Sequence, residues 1–262
     1  MPASNGRPSP FVRTTLASVI LGLSAVWAVP TSLYAQHSPW SLSGSVGYAI
    51  LNLGQVEKDN ASDVEGWNAL GIPVGPLGSV KRSSFFSGRL AYRLTREIAF
   101  SFAVRDQSKE VSSSYEGAEA SLSLQRGIGS TDALVGISYY PSAQPFFLEW
   151  YIELQVGLIF GRADAHAHGT QTVKSGGVPI LMPLVETDAT YKKTRTSVAL
   201  CVGADVPILR PFFVHIEGAY RFASLGTLDG DIDRFGQHSK QPSITEFDYS
   251  GFLVSGGIGI EF

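Results

Sequence analysis

The chain has 262 residues, enough for one large domain or two small ones. Charged residues make up 16% and aromatics 11%, with 28 glycines and 14 prolines, a mix that suits many short strands and turns better than long helices. The formal charge of −3 gives no reason to expect nucleic acid as a partner. The single cysteine, Cys201, excludes an internal disulfide and a cysteine-rich zinc site.

Residues 1–35 contain no acidic residue, carry Arg7 and Arg13, and run apolar from Leu16 to Val29 before Thr31 and Ser32. This is the pattern of an export signal, with cleavage expected between Ala35 and Gln36, although Leu33 stands where a small residue is preferred. The alternative is an uncleaved anchor, but the apolar run is shorter than the about 20 residues usual for a spanning helix. No cysteine lies near the cleavage point, which argues against lipoprotein processing. The expected organisation is a signal peptide over 1–35 and one domain over 36–262. Losing Arg7 and Arg13 takes the formal charge from −3 to −5.

Beyond residue 36 no run is long and apolar enough for a transmembrane helix, yet the alternation is that of strands with one apolar face. The first places Trp40, Leu42, Val46, Tyr48 and Ile50 opposite Ser41, Ser43, Ser45, Gly47 and Ala49. The pattern recurs around Phe86–Leu94, Ile98–Arg105, Asp132–Tyr139 and, most clearly, Leu148–Phe160. It returns over Ser197–Val206, Val214–Phe222 and Phe252–Phe262. Across these segments the apolar faces offer roughly 48 positions, where a chain of this composition would place about eight charges. They hold none, and the charges sit on the other face.

The connections decide between a soluble sandwich and a membrane barrel. Links after Leu94, Tyr140 and Val206 are short (Thr95 to Glu97, Pro141 to Pro145, Pro207 to Pro211), whereas those after Asn52, Ser108, Gly161 and Ala223 are long. Strict alternation of tight turns and long loops, with an even strand count, is the asymmetry of outer-membrane barrels. The expected fold is therefore all-β: an eight-stranded antiparallel transmembrane β-barrel, an up-and-down meander in a bacterial outer membrane, with both termini periplasmic and the long loops outside.

An eight-stranded barrel is just wide enough to be filled by its own side chains. Its inward faces carry Arg89, Arg93, Arg105, Glu149, Glu153, Asp205, Glu217, Arg221 and Glu261, with Asp132 expected at the outer end of its strand. By strand direction Arg89, Glu153 and Glu217 fall near mid-height, and Arg93, Glu149, Asp205 and Glu261 lower. These groups are expected to pair into a lumen charge network, since isolated buried charges cost several kcal/mol each. His215 is expected to join them.

The last strand ends in Phe262 with apolar Phe252, Val254, Ile258 and Ile260 at alternate positions before it. This resembles the terminal signal of outer-membrane barrels, and the resemblance implies recognition by the barrel-assembly machinery. The whole mature chain resembles the eight-stranded barrel of outer-membrane protein A and its relatives, whose cores also hold paired charges. The peptidoglycan-binding domain of outer-membrane protein A has no counterpart in the sequence. Outer-membrane lipid and lipopolysaccharide are the expected surroundings, and the sequence identifies no extracellular ligand.

Three features carry candidate chemistry. Asp164, His166 and His168 alternate, which puts them on one side of a strand; the alternatives are a metal site or the polar upper end of a strand outside the bilayer, and the latter is preferred because metal ligands usually converge from several elements. Ser239 beside His238 is the nearest thing to the nucleophile and base of a rim enzyme, but no lipid A deacylase motif accompanies it, so no enzyme and no cofactor are expected. The apolar stretches Gly71–Gly78, near Trp67, and Val178–Val185 either contact a ligand, a protein or lipopolysaccharide, or pack over the barrel mouth. Residues Ala118 to Ser130 alternate with a parity that disagrees with the strand after them, which predicts a bulge near Gly127 to Gly129. Cys201 is expected to face inward and be inert. A structural or surface-interaction role is the first functional reading; a narrow conduit for small or hydrophobic solutes and a lipid-modifying rim enzyme are the alternatives.

Overall fold

The structure is a computed structural model that describes residues 39–141, 148–175 and 178–262. The export signal expected over 1–35 and most of the link after Tyr140 lie outside the described residues. Among the described residues ten strands and one helix follow in order: β1 (Trp40–Leu51), α1 (Gly54–Ala69), β2 (Arg82–Arg93), β3 (Ile98–Glu116), β4 (Ala120–Tyr139), β5 (Glu149–Ser175), β6 (Val178–Leu209), β7 (Phe212–Phe222), β8 (Ser224–Arg234), β9 (Gln237–Asp248) and β10 (Gly251–Glu261).

Eight of the strands close a ring. β1 to β7 pair each with the next, β7 pairs with β10, and β10 returns to β1. Every pairing is antiparallel, and each ring strand coincides with one of the eight alternating segments. Closure leaves no edge, so each backbone N–H and C=O at membrane depth has a partner on a neighbouring strand.

The outward faces form a continuous apolar belt. Val46, Phe86, Phe100, Val135, Leu154, Leu200, Ile216 and Phe252 all point away from the ring and are exposed, Phe86 to 65%. Trp40 packs against Tyr92, their ring centroids 4.7 Å apart, and with Tyr139 and Phe212 they mark an aromatic rim at the turn end. The first outward charges above the belt are Arg82, Asp106, Arg162 and Lys192. An apolar band between an aromatic girdle and charged groups is the surface that hydrocarbon selects. No helix among the described residues is long and apolar enough to cross a membrane, so strands do the crossing.

Above the belt the structure departs from the expected long loops. The links after Ser108 and Gly161 are strand: β3 and β4 stay paired out to Glu116 and Ser121, and β5 and β6 out to Ser175 and Val178. The link after Ala223 is the β8–β9 hairpin, whose β8 pairs with the outer part of β6. A six-stranded sheet, β3-β4-β5-β6-β8-β9, thus continues out of the ring. At the other end Pro207 and Leu209 belong to β6 with a register shift between them, so the β6–β7 turn is tighter than expected. A proline is tolerated there because a bulge needs no donor from it.

The bulge expected near Gly127 to Gly129 is absent: β4 runs through them in register with both β3 and β5. What changes is the solvent. Within the membrane β4 turns Val135 and Ile137 outward and Asp132 and Ser138 inward; above it, Leu122, Leu124 and Ile128 are buried on the inward face while Ser123 is exposed. Lipid on the outer face rewards apolar side chains there, and water rewards polar ones, so the polarity inverts while the geometry continues.

Helix α1, in the link after Asn52, and the segment behind it fill the opening between β3 and β9. Val56, Asn60 and Val64 recur every fourth residue and form its buried stripe. Gly71 stops it in the left-handed conformation, φ 84°, with its N–H donating to Asn68 O at 3.0 Å. Ile72 and Val74 then pack with Leu122 and Leu124, so Gly71–Gly78 lies over the barrel mouth. Arg126 to Asp63 and Thr245 Oγ1 to Asp59 Oδ2 tie the helix to β4 and β9.

Replacing Leu154, at mid-belt on β5, with Arg is expected to destabilise the folded barrel by about 2–4 kcal/mol, against much less for a charge placed near the belt's margin. Urea unfolding of the protein in lipid vesicles measures this, together with the slower migration of the unfolded form on SDS gels after boiling.

Candidate functional site

Inside the ring the alternation turns polar side chains toward one another, and they bond across the lumen. At mid-height Arg89 donates from Nε and Nη2 to Glu153 Oε2 at 3.0 and 2.7 Å, and from Nη2 to Ser138 Oγ at 3.0 Å. Glu153 also accepts from Ser138 at 2.8 Å, from Gln155 at 2.7 Å and from Ser101, so both its oxygens are used. Arg105 donates to Glu217 Oε1 at 2.8 Å and to Gln155 Oε1 at 2.7 Å, with Cys201 Sγ 3.6 Å away. Tyr151 donates to the second oxygen of Glu217 at 3.0 Å. It lies over Gly203, its partner across β5 and β6, where an added Cβ would run into the ring; a side chain there would displace the tyrosine.

Below this layer Arg93 pairs with Glu149 at 2.7 Å and covers the face of Tyr140, 4.4 Å from the ring centroid. His215 Nδ1 lies 2.7 Å from Asp205 Oδ1. Above it Arg221 pairs with Asp132 at 2.7 Å, and donates to Gln107 at 3.1 Å and to Tyr249 O at 3.0 Å. Asp132 is therefore a fully buried member of the lumen and not a rim residue, because β4 continues for a further twelve residues beyond it. Glu261, at the turn end, is exposed and makes no ion pair among the described residues. The other eight charged residues expected in the network each have a partner within hydrogen-bond distance.

The C-terminal strand holds Phe252, Val254 and Ile258 outward, and Phe262 N–H donates to Trp40 O at 3.0 Å, which fastens the last residue to the first strand of the ring. Cys201 is fully buried among these groups.

Over the charge layers sits an apolar one. Leu53, Val56 and Val80 from the β1–β2 link pack with Phe85, Val111, Ile128, Ile159, Leu225, Leu228 and Tyr249 from the walls. The lumen is filled twice, by ion pairs and then by hydrocarbon.

Outside the lumen Asp164, His166 and His168 do share the outward face of β5, above the belt. The structure separates them, however. Asp164 is held by Arg162, 2.7 Å from its Nε, and by Thr190 at 2.9 Å. The two histidines converge instead on Asp188 of β6, His166 Nδ1 at 2.6 Å and His168 Nε2 at 2.9 Å from the same oxygen Oδ1. The hydrogen bond from His166 is the main reason that the Asp188 carboxyl titrates below its ordinary range; that from His168 adds to it. Ser239 and His238 are consecutive on β9, so they point to opposite faces and do not form a nucleophile and base pair. His238 Nε2 is 3.9 Å from Asp231 instead.

No protein-family profile and no curated protein sequence matches the chain. The chain is similar to solved structures. A major outer membrane protein from Thermus thermophilus superposes with a TM-score of 0.47 at 11% identity, covering 85% of this chain and 99% of that one. The outer membrane protein OprG from Pseudomonas aeruginosa gives 0.44 at 8%, covering 87% and 97%. The N-terminal β-barrel domain of OprF from the same organism gives 0.34 at 10%, covering 87% and 100%. The protein is an eight-stranded outer-membrane β-barrel, a class defined here by ring closure and the uncharged belt around it.

Two outcomes test the site's energetics. Arg89→Met leaves Glu153 buried without its cation and is expected to cost about 3–5 kcal/mol, whereas Arg89→Met with Glu153→Leu is expected to recover most of that loss; the shift of the urea midpoint in lipid vesicles reads both. Glu57, at the start of α1, is raised by burial but lowered more by hydrogen bonds from Lys81 and Ser79. Its folded-state pKa is thus depressed, so its stabilising contribution is present above the ordinary carboxylate range and lost as pH falls through the folded value. Amide exchange in α1 should quicken relative to the ring strands in acid, and the Glu57→Gln variant should lack that pH dependence.

Proposed function

We propose that the chain serves as a sealed, non-enzymatic barrel of the outer membrane, with a structural or surface-interaction role carried by the sheet that projects outside. The observation that carries this reading is the double filling of the lumen. A conduit needs a continuous water path, and at mid-height the space is occupied by Arg89, Glu153, Arg105 and Glu217 while Leu53, Val56 and Val80 occupy it above.

The exterior supports the second half of the reading. Near the end of the β5–β6 hairpin Ile180, Leu181 and Met182 are all exposed, Leu181 to 68%, away from any core. Arg82, Arg162 and Lys192 stand with Asp106 just above the belt, cations of the kind that bind lipopolysaccharide phosphates, and the form of the C-terminal strand suits the barrel-assembly machinery. The opposed directions of Ser239 and His238 weigh against a rim enzyme built on them.

Planar-bilayer recordings of the purified protein are expected to show no steady, sizeable conductance. A stable open level at neutral pH would overturn the sealed reading.

A further inference from the structure

We propose that His166, His168 and Asp188 form a binding site for a divalent transition-metal ion of the Zn2+ class, on the outward face of the projecting sheet. Their ligand atoms lie within 4.8 Å of one another. The three come from two paired strands whose backbones fix their spacing: His166 and His168 are alternate residues of β5, and Asp188 is the residue of β6 directly opposite His166. Two imidazole nitrogens already point at one carboxylate oxygen, so an ion about 2.0–2.2 Å from each needs only a small outward shift of the side chains.

The chemistry of the set selects the ion. Imidazole nitrogen favours zinc, copper and nickel, while magnesium and calcium prefer oxygen ligands throughout. Three protein ligands on an exposed face leave a fourth position to water, the open arrangement of sites that can also accept a ligand from elsewhere. The surroundings draw cations: Glu186 lies opposite His168, and Asp233 of β8 lies opposite Asp188. Asp164 stays outside the set because Arg162 and Thr190 hold it. Bound metal would clasp β5 to β6 above the membrane, across the hairpin that carries the exposed apolar tip.

The full chain, folded in detergent micelles and shown to be folded by heat-modifiable migration, is titrated with Zn2+ by calorimetry. One ion per chain is expected. His166→Gln and His168→Gln should each weaken binding by at least about tenfold, and His238→Gln, on the outward face of β9, should leave it unchanged. Excess Mg2+ or Ca2+ should not displace Zn2+, and Co2+ should give visible absorption that His168→Gln removes. The proposal is overturned if Zn2+ does not bind saturably, if the His166 and His168 variants bind as the natural chain does, or if His238→Gln weakens binding equally. The fold tolerates these changes because both histidines are solvent-facing, and Asp188→Asn offers a third variant with the same expected loss.

Discussion

Hydrocarbon offers no partner to a peptide N–H or C=O, and this one deficiency shapes the molecule. A strand in lipid must find both neighbours within the protein, which forces the ring to close, and a closed ring has an inside. With lipid on the outer face, every second side chain is apolar; with only eight strands, every other one meets its counterparts across a narrow lumen. The polar interior is thus a consequence of closure. Its charges, once enclosed, must pair, and the pairs join strands distant in the chain: Arg89 of β2 to Glu153 of β5, Arg105 of β3 to Glu217 of β7, Arg221 of β7 to Asp132 of β4. Because such pairs contribute little net stability but punish misalignment, they are well suited to holding the strands in register.

The projecting sheet obeys the same backbone geometry under the opposite solvent. Strands β3 to β6 cross the level of Asp106 and Arg162 without a break in pairing, and there their inward faces turn from polar to apolar. The sheet above the membrane consequently builds an ordinary hydrophobic core on the inward side, and α1 with residues 72–80 completes it. The protein's own loop lies across the mouth, packed by the hydrophobic effect over a layer held by ion pairs.

These two regimes explain what could be read from the residues alone. All eight ring strands were legible because lipid enforces alternation without exceptions, and the inward charges could be named because they interrupt no apolar face. The extension was harder. Ala118 to Ser130 did carry the signal, as a change of parity, but a change of parity reads equally as a bulge or as a change of solvent, and only the unbroken register decides. Helix α1 was hidden because three buried positions, Val56, Asn60 and Val64, are a thin stripe among charged residues. Asp188 could not have been joined to His166 and His168 from spacing, since it reaches them only through the β5–β6 register; Asp164, nearer in sequence, is taken by Arg162.

The unbroken pairing of β5 with β6 has a mechanical meaning. From Gly161 to Ser175 the hairpin rises for roughly 50 Å of strand at ~3.3 Å per residue, and its rungs are continuous with those at membrane depth except for the shift at Gly169. Such a beam fixes both the height and the heading of its tip relative to the bilayer. Whatever touches Leu181 and Met182 does so at a set stand-off from the lipid, and a pull on the tip is shared along many hydrogen bonds down into the wall.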